Sequence, residues 1–540
     1  MKIRGDILRT YQSIHTWTGI IAGLVLFIGF YAGSLSMFED EISLWATPST
    51  HQLSQVPTED LDSLIDIATS KFDKAQQGFT LNFNENYSPM TWSEEGGGRG
   101  LQLDHIVRHA TLSNQGELVT QVELSNELGD LIDTLHRTAG IVGKIGHEDI
   151  GVLILGIAAI LYFLALISGV IFLLPTLTKS FFALRQNKGA NRFWLDSHNL
   201  VGVISLPFHL IISLTVVVFA FHDALYGGLS VAYGDKPLFE RPTKAPTEYS
   251  IKQLPGIDTY FNKVSELTDG YEIYSLEFSG LSSKQPSLGI IVFSEQEMMR
   301  SNTGDIIYMN PYTLKPTFSS IQLSEEEVYV PYIASFFSLH FGGFGGELGK
   351  WVYFIMGLLG AFLFYSGNLL WLEKRRKKQV KQSKSNRFMA SLTIGICLGS
   401  ILSVVCTLLM SKWLYIFDAQ INLSYITCYY IVFFAAVLYS FARGAARSAI
   451  HIQQALFVVC VFIPLTTILA NTVPSLTLWS VDNYSGYIVE FIALGFAGIF
   501  YYGFLKTKQR AFHGEPNSIW SLPVDSPSLA VTKKIAIEQN

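Results

Sequence analysis

The stretch SIHTWTGIIAGL, residues 13–24, places a histidine at the start of a long apolar run and a glycine four positions later. The same spacing occurs in LHRTAG, where His136 precedes Gly140, and in SHNLVG, where His198 precedes Gly202. Residues four apart lie on one face of a helix, so each glycine leaves space beside its histidine. The repetition predicts that the three histidines share one role.

The composition predicts a membrane protein. Of the 540 residues, 49% are hydrophobic and 15% are charged, against roughly a quarter charged in a soluble domain. A helix that crosses a bilayer needs about 20 mostly apolar residues. Eight runs meet this need, so we predict a mainly α, polytopic fold with eight transmembrane helices. They are Thr16–Phe38, Ile150–Leu174, Leu200–Phe221, Trp351–Trp371, Phe388–Leu409, Leu423–Phe441, Ile450–Ala470 and Tyr487–Leu505.

The positions of Lys and Arg predict the orientation. The N-terminal MKIRGDILR, the loop TKSFFALRQNKGANR, the cluster EKRRKKQVKQSKSNR and the tail KTKQR all fall on one side of the predicted membrane. Basic loops remain in the cytoplasm, so both termini are expected there. The first apolar run is longer than a signal-peptide core, and we interpret it as a retained helix. The net charge of −6 favours no nucleic-acid partner.

The four cysteines, Cys397, Cys406, Cys428 and Cys460, all fall in the last four predicted helices. The long outer segments contain none, so neither a disulfide framework nor a cysteine-based zinc site is expected. We expect them to be small buried apolar residues.

Two long segments are predicted to face the outside. In each, a helical pattern (DLDSLIDIATSKF; IKQLPGIDTYFNKVSEL) is followed by strand patterns (FTLNFN; YEIYSLEF and SLGIIVF). SNQGELV, residues 113–119, resembles SNTGDII, residues 301–307, and each is a glycine turn that enters a strand. We predict one small α+β module per segment.

The order of these features indicates a tandem duplication. Each copy contains an inner histidine, a spanning helix, an outer module, an outer histidine and a second spanning helix. The histidines are His15 and His136 in the first copy, and His198 and His340 in the second. Two copies in one orientation fit an axis along the membrane normal. His15 is then expected to face His198 at the inner side, and His136 to face His340 at the outer side.

These predictions divide the chain into consecutive segments. They are residues 1–38 (first helix), 39–149 (first outer module), 150–222 (second and third helices), 223–350 (second outer module), 351–372 (fourth helix), 373–387 (basic linker), 388–505 (last four helices) and 506–540 (cytoplasmic tail).

Paired histidines at each membrane face suit haem b with two axial imidazoles, which gives two haems in the chain. A porphyrin needs a flat apolar slot, and Gly19, Gly202 and Gly140 would let its edge approach the helix backbone. Zinc or copper stays open as an alternative, although two histidines leave either ion short of ligands.

One further histidine lies in the predicted membrane interior. His209 follows His198 by eleven residues, which is about 16 Å of helix and close to three whole turns. It therefore falls on the same face near mid-membrane. A lone ionisable group is costly there, so it is a candidate for a functional role. Its counterpart in the first copy is Leu26. We carry His209 as a tentative haem ligand or neighbour.

The blocks IHTWTG, LHRTAGIVGKIG, RFWLDSHNLVG and LHFGGFGGELGKWVYFIMGLLGAFLFYSGNLLW, with the two outer modules between them, resemble the PepSY-associated transmembrane family of bacterial iron-regulated membrane proteins. The resemblance covers residues 1–376. It implies the bacterial inner membrane, periplasmic PepSY-type domains and, as in siderophore reductases, two b-type haems. His15, His136, His198 and His340 occupy the matching positions. The chain has no G-x-G-x-x-G fingerprint, so the electron donor is expected to be a quinol or a cytoplasmic reductase.

Three hypotheses follow. The first is a transmembrane oxidoreductase that passes electrons to a periplasmic acceptor, a ferric siderophore above all, for iron uptake. The second is a non-enzymatic PepSY-domain protein that binds or regulates a periplasmic partner. The third is a siderophore permease, which the first four helices support poorly because they lack the paired Gly/Pro-broken helices of a midplane substrate site.

Overall fold

A computed structural model provides the structure of the chain. It describes residues 4–48, 52–98, 100–177, 184–185, 190–233, 248–325, 327–377, 382–417, 420–481, 484–515 and 518–522. Most of the basic loop at 178–189, the middle of the predicted linker at 378–381, and the predicted tail from 523 onward lie outside these ranges.

Helices dominate the described residues. In chain order they are α1 (Gly5–Leu35), α2 (Glu39–Ala46), α3 (Leu61–Lys71), α4 (Asp73–Gln77), α5 (Leu128–Thr138), α6 (Ile150–Leu173), α7 (Ala190–Ile204), α8 (Leu206–Ala220), α9 (His222–Tyr233), α10 (Ile257–Leu267), α11 (Val330–Phe341), α12 (Gly346–Arg376), α13 (Lys384–Tyr415), α14 (Ile421–Arg443), α15 (Ala445–Thr472) and α16 (Tyr484–His513).

The strands are short and fall in the two outer segments. They are β1 (Gly78–Asn82), β2 (Met90–Glu95), β3 (Ile106–Leu112), β4 (Leu118–Leu124), β5 (Lys144–Ile145), β6 (Glu148–Asp149), β7 (Glu272–Ser279), β8 (Ser287–Phe293), β9 (Asp305–Met309) and β10 (Pro316–Ser319).

The chain folds into two compact units. The helical unit comprises Met1–Ala46, Leu128–Ala220 and Ile355–Asn540, and the sheet unit comprises Thr47–Glu127 and Phe221–Phe354. The predicted module at 39–149 was therefore too long at both ends. Helices α2 and α5, which flank it, belong to the helical unit, where α5 packs on α1 and α2 packs on α5 and α16.

Apolar helices of membrane-spanning length confirm a polytopic membrane protein. Within the described residues, seven helices are long and apolar enough to cross a bilayer, or eight if one bent pair is a single span. That pair replaces the predicted third span at 200–221: α7 and α8 meet at 67°. Pro207 lies at the break, where it has no N–H for the Val203 carbonyl and its ring clashes with that carbonyl. The sequence pattern showed the apolar run but not the bend.

The linker and the tail are also more helical than predicted. Helix α12 continues to Arg376, and α13 begins at Lys384, where the Ser383 side chain accepts a hydrogen bond from the Asn386 backbone N–H. Helix α16 extends to His513. Basic residues that the sequence assigned to connections therefore extend the transmembrane helices.

The sheet unit contains one eight-stranded antiparallel sheet, in the order β10-β9-β8-β7-β1-β2-β3-β4. The prediction of two separate modules is thus corrected, because β1 of the first half pairs with β7 of the second. Leu81 faces Leu276 across this junction, and Phe79 lies opposite Phe278 with ring centroids 4.7 Å apart. Helices α3 and α10 cover the same core.

The junction requires a glycine. A Cβ at Gly78 would lie 2.4 Å from the Phe278 carbonyl oxygen, so a larger residue would push β1 away from β7. The strand order is symmetric about this pair, which agrees with a duplicated unit whose two halves share one sheet.

The two SNxG turns do not occupy equivalent places in that sheet. The turn at 113–116 closes the hairpin between β3 and β4, whereas the turn at 301–304 precedes β9, the third strand of its half. Each turn does enter a strand, as predicted. The duplication rests on the order of helices and strands rather than on this pair of turns.

The last four helices, α13 to α16, pack on one another, and α13 also packs on α1. Their cysteines are free: Cys397 and Cys460 are buried, while Cys406 and Cys428 are half-buried. This agrees with the expected role of small apolar residues in helix packing.

Candidate functional site: a histidine pair between two helices

The helical unit brings two of the predicted histidines together. His15 lies on α1 and His198 on α7, and their ring centroids are 6.4 Å apart with the ring planes at 75°. If one metal bridges two imidazoles through bonds of about 2.0 Å, and each ring nitrogen lies about 1.1 Å from its centroid, the centroids are about 6.2 Å apart. The observed separation would allow both imidazoles to bind one metal ion.

Each ring is held by its Nδ1 atom. His15 Nδ1 lies 2.8 Å from the Ala165 carbonyl oxygen of α6. A carbonyl oxygen only accepts, so Nδ1 carries the proton and Nε2 carries the lone pair. This second hydrogen bond is typical of a metal-ligating histidine, because it fixes the tautomer and the ring orientation.

His198 follows the same arrangement with a hydroxyl in place of a carbonyl. Its Nδ1 lies 2.9 Å from Ser366 Oγ on α12, and that hydroxyl lies 3.3 Å from the Leu363 carbonyl oxygen. When the hydroxyl donates to the Leu363 carbonyl, it accepts from His198 Nδ1. The Nε2 lone pair of His198 is then also available to a metal.

Glycines on the facing helices make room for both rings. A Cβ at Gly169 would lie 2.9 Å from His15 Nδ1, and one at Gly367 would lie 3.4 Å from His198 Cε1. Both glycines follow a serine, in Ser168-Gly169 and Ser366-Gly367. This repeated Ser-Gly pair in the second helix of each copy was the sequence signal that pattern reasoning missed.

The glycines predicted from the H-x-x-x-G spacing behave differently from one another. At Gly19 an added Cβ meets no atom within 4 Å, so open space lies beside it. At Gly202 a Cβ would meet Leu363 at 3.7 Å, an ordinary contact with α12. Gly202 therefore lies at the contact between α7 and α12.

The prediction for Gly140 is wrong. Helix α5 ends at Thr138, and Ala139 and Gly140 both have positive φ, 51° and 72°. Gly140 is thus not on the helical face of His136. It occupies the left-handed turn that ends the helix, where glycine is favoured because it has no Cβ.

His136 lies on the short helix α5. Its Nδ1 donates to the Gly29 carbonyl oxygen of α1 at 2.8 Å. A Cβ at Gly33 would lie 2.5 Å from the same Nδ1. Gly33 therefore leaves the space that this ring occupies, and we call such a glycine the seat of its ring. His136 therefore repeats the His15 arrangement at the other end of α1: a fixed Nδ1 and a glycine seat.

His340 lies on α11 in the sheet unit. The glycines that follow it are required by the backbone: Gly342 has φ 70°, and a Cβ at Gly343 would lie 2.2 Å from the Met299 carbonyl oxygen. They form the tight turn between α11 and α12. The pairing of His340 with His136 remains a prediction.

His209 is fully buried on α8. Phe30, Tyr162 and Phe208 surround it at ring-centroid distances of 5.5, 5.9 and 5.2 Å. Within the described residues, neither ring nitrogen has a hydrogen-bond partner. A Cβ at Gly360 would lie 2.9 Å from its Cε1. The imidazole thus occupies an aromatic cage.

A bare metal ion fits the inner pair poorly. Among the residues that the structure describes, no third histidine, cysteine or carboxylate joins His15 and His198 in a cluster able to hold an ion. Zinc needs four ligands or three plus water. A haem supplies four nitrogens of its own, so two histidines are sufficient.

A buried amide also lies near this space. Asn368 is 2% exposed, and in the described part of the chain neither of its amide atoms has a hydrogen-bond partner. A Cβ at Gly23 would lie 3.7 Å from it. An unpaired buried amide costs about 1–3 kcal/mol, so this interior suits a bound group with polar atoms.

The match to known families covers the region that carries all four histidines. A family model described as PepSY-associated TM region matches residues 12–374. The chain belongs to this family. No curated protein matches the chain. In this PepSY-associated protein the matched region ends within α12, so α13 to α16 lie beyond the family core.

The beginning of α1 and the end of α12 carry an aromatic and basic cluster in this family member. The Arg375 guanidinium lies 4.0 Å from the Trp371 ring centroid and 5.9 Å from the Trp17 ring centroid. Trp17 follows His15 by two residues. Arginine and tryptophan at a helix end are typical of a membrane interface, and the guanidinium is also suited to a cofactor carboxylate.

Proposed function

We propose that this chain is a haem b-containing transmembrane oxidoreductase that carries electrons across the bacterial inner membrane to a periplasmic acceptor, a ferric siderophore. The observation that carries the proposal is the His15–His198 pair, at 6.4 Å between centroids with both Nδ1 atoms bonded to neighbouring helices. Family membership supports the membrane setting.

The residues that would hold the inner haem are His15 and His198, and we assign the outer haem to His136 and His340. When bound, haem supplies one-electron chemistry at its iron. The chain contributes orientation, because Nδ1 bonds and neighbouring glycines fix the rings of His15, His198 and His136 before the cofactor arrives. Pre-formed ligands lose less conformational freedom on binding.

The chain also controls the surroundings of each ligand. A hydrogen bond to Nδ1 raises the basicity of the ligating nitrogen. The partners differ: a backbone carbonyl accepts from His15, whereas His198 bonds a serine hydroxyl. The aromatic cage of Phe30, Tyr162 and Phe208 around His209 makes this part of the bundle interior apolar. Low polarity around an iron is one way in which proteins set its potential.

For the acceptor we propose a ferric chelate. Iron(III) is a harder cation than iron(II), and hard cations bind oxygen ligands most strongly. Loss of one positive charge therefore weakens an oxygen chelate and releases the metal. The sheet unit, with its large folded surface, is the part of the chain that we assign to the periplasm.

The test is the visible spectrum of the purified full-length protein. We expect reduced-minus-oxidised bands of two b-type haems per chain, and oxidation of the reduced protein by a ferric siderophore. A colourless protein from haem-replete cells contradicts the haem assignment. A haem protein that a ferric siderophore does not oxidise contradicts the acceptor alone.

A further inference from the structure

A cavity lies behind His198, on the side of its Nδ1 atom. It has a volume of about 240 Å³. Helix α7 contributes Trp194, the end of α12 contributes Ser366 and Glu373, and the end of α16 with its following turn contributes Arg510 and Trp520. The family core therefore supplies one wall, and the region beyond the matched residues supplies the other.

The formal charges of the side chains that line the cavity cancel. Arg376 donates to both oxygens of Glu373 at 2.7 Å and also bonds Glu515. Two arginines and two carboxylates line the site, so its formal charge is zero (+2 − 2). A phosphate or other anion would meet the two carboxylates, so a neutral ligand is favoured.

Arg510 provides donors that the ion pairs do not consume. Its guanidinium carbon lies 4.9 Å from the Trp520 ring centroid. Within the described ranges, no carboxylate pairs with it. Arginine carries five N–H donors in a fixed plane, so a ligand with carbonyl or hydroxyl oxygens on a flat ring would be bonded at its edge.

The remaining lining is mixed. Trp194 and Trp520 offer flat faces, Leu369 and Leu370 add apolar surface, and Asn191, Ser518 and Ser521 add polar groups. Trp520 is 5% exposed, so the turn after α16 is packed firmly against the site. Sites that combine apolar and aromatic surface with convergent polar groups are typical of small-molecule binding.

The cavity volume limits the size of the ligand. A cavity of about 150 Å³ holds one benzene, so this one holds one or two fused rings. A dinucleotide or a flavin nucleotide is too large, and its phosphates would oppose the charge balance.

We propose that this cavity binds the head group of a quinone or quinol. Its oxygens bond Arg510 and its ring lies between the two tryptophans. The position connects the cavity to the histidine pair. Ser366 lines the cavity and is also hydrogen-bonded to His198 Nδ1. Its role as the electron-donor site rests on the proposed function, whereas the binding itself does not.

The experiment is photolabelling of the full-length protein with an azidonaphthoquinone, followed by peptide mapping and competition with menadione. We expect the label on peptides that contain Trp194 and Trp520, and removal of it by excess menadione. Excess 2-methylnaphthalene, which has the same rings without oxygens, is expected to compete at least tenfold more weakly. A label spread over lipid-facing helices, or equal competition by the two compounds, overturns the proposal.

Two single substitutions test the role of Arg510 in binding. Arg510→Gln is expected to weaken menadione competition at least tenfold, the scale of a lost charged hydrogen bond. Arg443→Gln, at the end of α14 and outside the cavity lining, is the matched control and should not change it. An unchanged Arg510→Gln protein contradicts the proposal. If that variant does not fold, the label map and competition in the unaltered protein decide alone.

The outcome separates the two proposals. Correct labelling in a protein without haem bands contradicts the proposed function and leaves the site intact. Haem bands with the label elsewhere contradict the site and leave the proposed function intact.

Discussion

The imidazole rings of His15 on α1 and His198 on α7 have centroids 6.4 Å apart, although the two residues are 183 positions apart in the chain. The Nδ1 atom of His15 is hydrogen-bonded to α6, and that of His198 to α12. Neither Nδ1 atom therefore contacts the other ring. The Nε2 atom of each ring is therefore left for a further partner. The predictions below test how this arrangement is held and what it holds.

Gly169→Ala should disturb the inner pair. The new Cβ would lie 2.9 Å from His15 Nδ1, so the ring must move away and its bond to the Ala165 carbonyl lengthens. We expect the affinity for the inner haem to fall about 10–100-fold, the effect of losing a supporting hydrogen bond. Haem retention during dialysis against apomyoglobin measures it.

Gly495→Ala on α16 is the matched control, because an added Cβ there meets no atom within 4 Å. It should retain haem like the unaltered protein. If Gly169→Ala retains haem equally well, the proposed seat for His15 is wrong.

Ser366→Ala should act on His198 without a steric clash. It removes the hydroxyl that accepts the Nδ1 proton and leaves a buried donor without a partner, at a cost of about 1–3 kcal/mol. We expect a change in the potential of one haem only, measured by redox titration. Ser366→Thr, which keeps a hydroxyl, should restore the potential, whereas a purely structural role would not distinguish the two variants in this way.

His209→Leu tests the tentative mid-membrane ligand. Both ring nitrogens lack partners within the described residues, so an apolar side chain of similar size should stabilise the bundle by about 1–3 kcal/mol. We expect both haems to remain and the unfolding temperature in detergent to rise. Loss of one haem would instead establish His209 as a ligand.

Leu276→Ala tests the shared sheet. Leu276 and its partner Leu81 are fully buried at the β7–β1 junction, and a buried Leu→Ala change costs about 2–5 kcal/mol. We expect faster hydrogen exchange in β2 and β3 as well as in β8 and β9. Val119→Ala on β4, where Val119 is 42% exposed, serves as control. Faster exchange confined to β8 and β9 would show that the halves fold separately.

Apolar length and repeated motifs were sufficient to predict much of this molecule. The run lengths located the spanning helices, and the copied H-x-x-x-G blocks located His15, His198 and the helix of His136. These features are local: they depend on periodicity within 20 residues.

The features that the sequence did not predict depend on contacts between distant segments. The pairing of β1 with β7 joins residues 78–82 to 272–279, and no local pattern distinguishes it from two separate sheets. The seats at Gly33 and Gly169 depend on which helices are neighbours. Gly140 was misassigned because α5 ends two residues before it, and helix ends are hard to predict from sequence.

The most direct test of the central claim is electron paramagnetic resonance of the oxidised protein, with haem counted per chain. We expect two low-spin haems, each with bis-imidazole ligation. The inner signal should have the large maximal g value of nearly perpendicular imidazole planes, because the His15 and His198 rings lie at 75°. His15→Ala and His198→Ala should each remove that signal and one haem, while the outer signal persists. Full haem content in both variants, or no low-spin haem in the unaltered protein, would contradict the account.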